Sequence, residues 1–155
     1  MTNNDILRRL RYALNIHDSQ MIRMFARVHR EMEPELLLSI MKKEDEQDYR
    51  PCDSRTLCQF LDALIIEKRG LKPGTGIPQP SNDLNNNLIL KKLRIALQLK
   101  EEDFIEMLTL AGFRLSKTEL SAFFRNPEQK NYRYCGDQVM RNLLKGMSLK
   151  LRGKS

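Results

Sequence analysis

The chain has 155 residues, of which 41% are hydrophobic, and its formal net charge is +7 at pH 7. This length and apolar content suffice for one ordinary domain or two very small ones. No apolar run approaches the roughly 18 residues of a membrane span, and the N-terminal stretch is too polar for a secretory segment. These features predict a soluble, cytoplasmic protein without membrane contact. Cys52, Cys58 and Cys135 form an odd set, which predicts free thiols rather than disulfides.

The sequence is a tandem duplication. A shift of 83 residues aligns NNDILRRLRYAL at 3–14 with NNLILKKLRIAL at 86–97, and the register holds without a gap. It predicts a first repeat over 1–70 and a second over 86–155. The intervening segment LKPGTGIPQPSNDLN, residues 71–85, is rich in proline and glycine and is predicted to be a linker. Units this small bury too little surface to be stable alone, so we expect the repeats to pack together, with a pseudo-two-fold axis between them.

Apolar residues recur at helical spacing throughout both repeats and predict an all-α fold with four helices in each repeat. The first helix of each repeat is predicted to begin at paired asparagines, with Asn4 and Asn87 as its caps. The segment SKTE, residues 116–119, has the form of a capping box. The fourth helix of each repeat is predicted to end at a glycine. The predicted starts of the remaining helices are Asp18, Glu33 and Asp53 in the first repeat and Glu101, Ser116 and Asp137 in the second.

The second repeat resembles a helix-turn-helix of the phage-repressor type, because an acidic helix start is followed by a turn at Gly112 and another helix. The first repeat, 3–70, has twelve basic and twelve acidic residues, whereas 86–155 has fourteen and seven. A basic excess attracts phosphates through counterion release. We therefore predict that DNA or RNA binds the second repeat, while the first serves as scaffold or as a partner surface. The predicted contacts are Lys117, Thr118, Ser121, Arg125, Arg141 and Lys145.

The alternative is that the basic residues only solvate helix faces. The duplicated helices would then form a protein-interaction or assembly module, with a protein partner or a second copy of the chain and no nucleic acid.

No residues suggest an enzyme, a cofactor or a metal site. The two histidines, His17 and His29, align with Lys100 and Gly112, so a histidine site is not duplicated. The spacing of the cysteines does not suit zinc, and the acidic run at 44–48 lacks the glycine and terminal glutamate of a calcium loop. Phosphate loops, dinucleotide fingerprints and nucleophile elbows are missing from the sequence. We therefore predict no enzymatic activity.

A YRxC motif occurs in both repeats, as DYRPCDS at 48–54 and NYRYCGD at 131–137. Each cysteine precedes a predicted helix start, where the helix dipole would stabilise a thiolate, but no base accompanies either thiol. We therefore favour a structural role, with tyrosine and cysteine buried and arginine bonded to nearby carbonyls or carboxylates. The predicted loop anchors are Tyr49, Arg50 and Cys52 in the first repeat and Tyr132, Arg133 and Cys135 in the second.

Several segments together resemble the YehS-like family of bacterial proteins: NNDILRRLRYAL at 3–14, KKEDE at 42–46, IIEKRG at 65–70, NNNLILKKLRIAL at 85–97 and KNYRYCGDQVMRNLLKGM at 130–147. The resemblance covers nearly the whole chain. It implies a small cytoplasmic bacterial protein built from two copies of a helical domain. It supplies no activity, cofactor or site residues, and both functional hypotheses stay open.

Overall fold

The computed structural model describes residues 1–153, and within them it contains eight α-helices and no strand, which confirms the all-α prediction. Each helix of the second repeat begins 83 residues after its counterpart, so the duplication extends to the structure. Residues 154 and 155 of the predicted second repeat lie outside the described part. The helices are α1 (Asn3–Leu14), α2 (Asp18–Arg27), α3 (Pro34–Ile40), α4 (Ser54–Arg69), α5 (Asn86–Leu97), α6 (Glu101–Leu110), α7 (Lys117–Ala122) and α8 (Asp137–Arg152).

The first helix of each repeat is capped two positions earlier than expected. Thr2 caps α1, because its hydroxyl accepts from the backbone N–H of Asp5 at 3.1 Å. Asn85 caps α5 in the same way. The prediction that Asn4 and Asn87 are caps is therefore wrong: both lie inside the first turn, and their side chains are buried and turned towards another loop of their own repeat.

Other helix ends agree with the sequence patterns. The predicted capping box is present, since the Ser116 hydroxyl accepts from the Glu119 N–H at 3.1 Å and the Glu119 carboxylate accepts from the Ser116 N–H at 3.0 Å. The fourth helices end at Gly70 and Gly153, whose φ angles of 72° and 78° lie in the left-handed region that favours glycine.

The two repeats pack together by pairing the first helix of one with the fourth helix of the other. Helix α4 packs on α5, and α8 packs on α1, while within each repeat the second helix packs on the fourth. The two cross-repeat pairs are counterparts under the 83-residue shift, as a pseudo-two-fold arrangement requires. One continuous hydrophobic core extends through both repeats, so neither repeat is an independent unit.

The linker is attached to this core. Its side chains Ile77 and Leu84 pack against buried residues, and the backbone N–H of Ser81 donates to the Cys58 sulfur at 3.3 Å. The linker therefore contacts the core, and at Ser81 it contacts α4 of the first repeat.

Candidate nucleic-acid interface

The predicted recognition helix, α7, has six residues, fewer than two turns, and spans about 9 Å. Lys117 and Thr118 are exposed at its start. The Lys117 ammonium lies 3.9 Å from a Glu102 carboxylate oxygen, but both side chains are about two-thirds exposed, so this pair holds the lysine weakly. The hydroxyl of Ser121 donates to the Thr118 carbonyl at 3.1 Å and is directed back onto its own helix. This helix by itself presents few groups to a ligand.

A larger concave site lies beside α7. We call it the second-repeat hollow; it is a cavity of about 670 Å³ between α7, the loop that follows it and the start of α8. Three cationic side chains line it, Arg125, Lys130 and Arg133. The aromatic side chains of Phe113, Phe123 and Tyr134 line it as well. Tyr134 is 61% exposed, so one ring in the hollow is open to a ligand.

The electrostatics of the second-repeat hollow favour an anion. Among the described residues, none of its three cations has a carboxylate oxygen within 4.0 Å. Glu119 is the carboxylate in its lining. The backbone N–H of Ser116, the N-cap residue of α7, donates to this carboxylate and lowers its pKa. Glu119 is therefore anionic, but its carboxylate is already hydrogen-bonded within the capping box. Three basic groups therefore face one acid that is already hydrogen-bonded.

The corresponding loop of the first repeat does not carry the same set of side chains. Under the 83-residue shift, Lys130 aligns with Gln47 and Tyr134 with Pro51. Lys42, the counterpart of Arg125, donates to the backbone carbonyl of Gln47 at 2.8 Å. The first repeat also carries the acidic run at 44–48 in this loop. Both the aromatic ring and the charge excess thus belong to the second repeat alone.

The structure does not bring the six predicted contacts together, and only three of them line either of the two cavities. Thr118 and Arg125 line the second-repeat hollow, whereas Lys145 lines a separate cavity at the junction of α8 with α1. Arg141 is exposed one turn before Lys145 on α8 and lines neither cavity. Sequence reasoning missed Phe113, Lys130 and Tyr134. A signal was available for two of them, because Tyr134 occupies the variable position of the YRxC motif and Lys130 lies two residues before it.

The YRxC segment of the first repeat is held by a buried asparagine. The Asn4 side-chain oxygen accepts from the Cys52 N–H at 2.9 Å and from the Tyr49 hydroxyl at 3.2 Å. Its amide group donates to the carbonyls of Ile40 and Arg50, each at 2.8 Å. This asparagine therefore joins three points that are distant in sequence: the start of α1, the end of α3 and the loop before α4.

Asn87 makes the same joint in the second repeat. Its side chain accepts from the Cys135 N–H at 2.9 Å and donates to the carbonyls of Phe123 and Arg133, at 3.0 and 2.8 Å. Arg50 and Arg133 are exposed and contribute these backbone carbonyls, rather than the predicted side-chain bonds. The signal for this joint in the sequence is the pair of adjacent asparagines at the start of the first helix of each repeat. A helix has a single N-cap residue, so capping can explain at most one asparagine of each pair.

The cysteines of the motif are poorly suited to nucleophilic chemistry. Cys52 and Cys135 are buried, and burial raises the pKa of each thiol to about 12, with a smaller effect from the neighbouring carboxylates of Asp53 and Asp137. Burial also raises the pKa of Cys58. A thiol must ionise to act as a nucleophile. At neutral pH these cysteines therefore remain protonated.

Within residues 1–153, no three histidine, cysteine, aspartate or glutamate side chains lie close enough together to hold a metal ion. None of the helices in this range is both long and apolar enough to cross a bilayer.

The fold and the two asparagine joints define a class of protein: a duplicated four-helix unit with the repeats packed through their first and fourth helices. The chain belongs to the family described as "Protein of unknown function (DUF1456)", which matches it twice, over residues 3–70 and 86–153. It is 40% identical over 148 residues to the "Uncharacterized protein YehS" of Escherichia coli strain K12, covering 96% of this chain and 95% of that protein. No solved structure matches it.

Proposed function

We propose that this protein binds single-stranded nucleic acid through the second-repeat hollow. The observation that carries the proposal is the joint presence of three cations and an exposed aromatic ring in one cavity of about 670 Å³. Cations attract the phosphates, and the ring of Tyr134 offers a face on which a base can stack.

The shape of the site favours a single strand over a duplex. A concave site admits an unstacked base together with its sugar and phosphate, and its volume is within the range of about 300 to 1,000 Å³ typical of small-ligand pockets. Paired bases within a duplex cannot stack on a protein ring. The six-residue α7 is also short for a helix that reads the major groove.

The test is fluorescence anisotropy with labelled 12-mer oligo(U) and oligo(dT) across a salt series. Three phosphate contacts predict that log Kd changes with log salt with a slope of about 2. Tyr134→Ala should weaken binding by about 1–3 kcal/mol without changing this slope, because stacking releases no counterions. Arg125→Gln with Lys130→Gln should weaken binding and lower the slope by about 1.4.

The first repeat provides the matched control. Lys42→Gln removes the counterpart of Arg125 and should leave oligonucleotide affinity unchanged. A loss equal to that of the hollow variants would mean that net charge, not this site, determines binding. If the unmodified protein fails to bind at low salt, where counterion release is most favourable, nucleic-acid binding is excluded and the assembly-module hypothesis remains.

A further inference from the structure

The two cross-repeat junctions, α4–α5 and α1–α8, differ in the charges of the side chains at corresponding positions. At the α4–α5 junction, the carboxylate of Asp62 is 2% exposed and accepts from the Lys92 ammonium at 2.6 Å. The Cys58 thiol donates to the other oxygen of this carboxylate at 3.6 Å. An ion pair between the repeats therefore closes this junction.

The counterpart junction, α1–α8, lacks the carboxylate. Under the 83-residue shift Lys92 aligns with Arg9, but Asp62 aligns with Lys145, so two cations occupy the positions of an ion pair. Within the described part of the chain, neither Arg9 nor Lys145 has a carboxylate oxygen within 4.0 Å. The neighbouring Arg8 differs, because it pairs with Asp5 one turn earlier.

A cavity of about 410 Å³ lies at this junction, and we call it the α1–α8 groove. Arg9 and Lys145 line it together with apolar groups from Tyr12, Leu144 and Leu149. At its rim, the Arg152 guanidinium lies over the Tyr12 ring, 4.4 Å from the ring centroid. The groove thus combines an apolar wall with positive charge that the protein does not neutralise locally.

We propose that the α1–α8 groove binds a small organic carboxylate with an apolar body. The carboxylate would interact with Arg9 and Lys145, as Asp62 does with Lys92, and the apolar body would lie against Leu144 and Tyr12. The volume, near the lower end of the range for small-molecule sites, suits a single aromatic ring or a medium-length aliphatic chain. This site is distinct from the second-repeat hollow and does not depend on nucleic-acid binding.

The experiment is an NMR titration of the whole protein with hexanoate at low ionic strength. Acetate supplies the carboxylate without the apolar body, and hexanamide supplies the apolar body without the charge. Hexanoate should produce saturable shifts in α1 and α8, and its Kd should be at least tenfold lower than that of either matched compound. Inorganic phosphate should not compete.

Lys145→Asp is the decisive variant, because it restores at α1–α8 the ion pair that closes α4–α5. Hexanoate affinity should fall at least tenfold. Arg141→Asp is the matched control: it makes the same charge change one turn earlier on α8, outside the groove, and should change affinity less than twofold. Circular dichroism shows whether Lys145→Asp is folded. If it is not, Arg9→Gln, which removes the other cation of the groove, is used in its place.

Several outcomes would overturn the proposal. Unsaturable hexanoate shifts would exclude the site, and equal binding of hexanamide would show that the carboxylate is not recognised. Equal binding of acetate or phosphate would indicate a bare anion site without a role for the apolar wall. An equal loss in Arg141→Asp and Lys145→Asp would assign the effect to net charge. Retained affinity in Lys145→Asp would place the site elsewhere.

Discussion

The first and second repeats hold their YRxC loops in the same way but pack their helices and charge their surfaces differently. In both, a buried asparagine on the first helix binds the backbone of the loop before the fourth helix. Interactions that are present in both copies are those that the four-helix unit itself requires. Groups that satisfy buried backbone are the same in both copies, since an unpaired buried N–H or carbonyl is costly wherever it occurs.

The two repeats differ at the cross-repeat junctions and in the second-repeat hollow, where different side chains are compatible with the same helix packing. The Asp62–Lys92 ion pair closes one junction, and two cations face the groove at the other. The second-repeat hollow contains an exposed tyrosine where the first repeat has Pro51. These features involve side chains at the junctions and on the surface, and the helix order is the same in both copies despite them.

The largest expected effect concerns the packing of the second helix on the fourth. At Gly146 of α8 an added Cβ would lie 1.7 Å from the Met107 carbonyl oxygen of α6, whereas Ala63 stands at the counterpart position in α4. Gly146→Ala should lower the free energy of unfolding by about 3 kcal/mol or more, because the clash is with backbone and requires the two helices to separate. Urea denaturation measures this.

The reverse substitution is the control. Ala63→Gly should cost about 1–2 kcal/mol, from helix propensity and the lost methyl group alone. If Gly146→Ala costs no more than Ala63→Gly, the two repeats pack α6 on α8 and α2 on α4 equally closely, and the proposed difference between them is wrong.

The next effect tests what the repeats share. Asn4→Ala and Asn87→Ala should each destabilise the protein by about 2–3 kcal/mol, because a buried cysteine N–H and two carbonyls lose their partner in each case. Asn85→Ala, which removes a cap at the helix surface, should cost about 1 kcal/mol in the same denaturation assay. A smaller effect at Asn87 than at Asn85 would contradict a joint common to both repeats.

Most of the fold could be predicted from the sequence because its determinants are local. Apolar spacing and capping residues define each helix within a few positions, and the predicted starts at Asp18, Glu101 and Asp137 are those of the structure. The duplication added the correct expectation that the repeats pack together.

The joints and the sites could not be predicted in this way because they depend on distant residues. Asn4 bonds to Cys52, 48 residues away, and its position at a helix start favoured the wrong interpretation as a cap. Arg9 and Lys145 lie near opposite ends of the chain, and only the packing of α1 on α8 brings them to one groove. Charge counting alone identified the basic repeat but not which basic side chains converge.

The smallest expected effect is a pH dependence of stability that the two repeats should share. The pKa of Cys52 and of Cys135 is raised by burial from 9.0 to about 12. Well below pH 9 both thiols are protonated in the folded and unfolded states, and their contribution to stability is fully present. As the pH rises from 9 towards 12 the unfolded thiols ionise first, so this contribution is lost. At pH 10 the loss should be about 1 kcal/mol per thiol relative to pH 7.

Denaturation of Cys52→Ala and Cys135→Ala at pH 7 and pH 10 isolates this effect, because lysines and tyrosines titrate equally in the variants and the unmodified protein. Between pH 7 and pH 10, the free energy of unfolding of each single variant should fall by about 1 kcal/mol less than that of the unmodified protein. For the double variant this difference from the unmodified protein should be about twice as large. Parallel pH dependence in all four proteins would mean that the thiols ionise in the folded state as easily as in the unfolded chain. A response in one repeat alone would show that the shared asparagine joint does not bury the two cysteines alike.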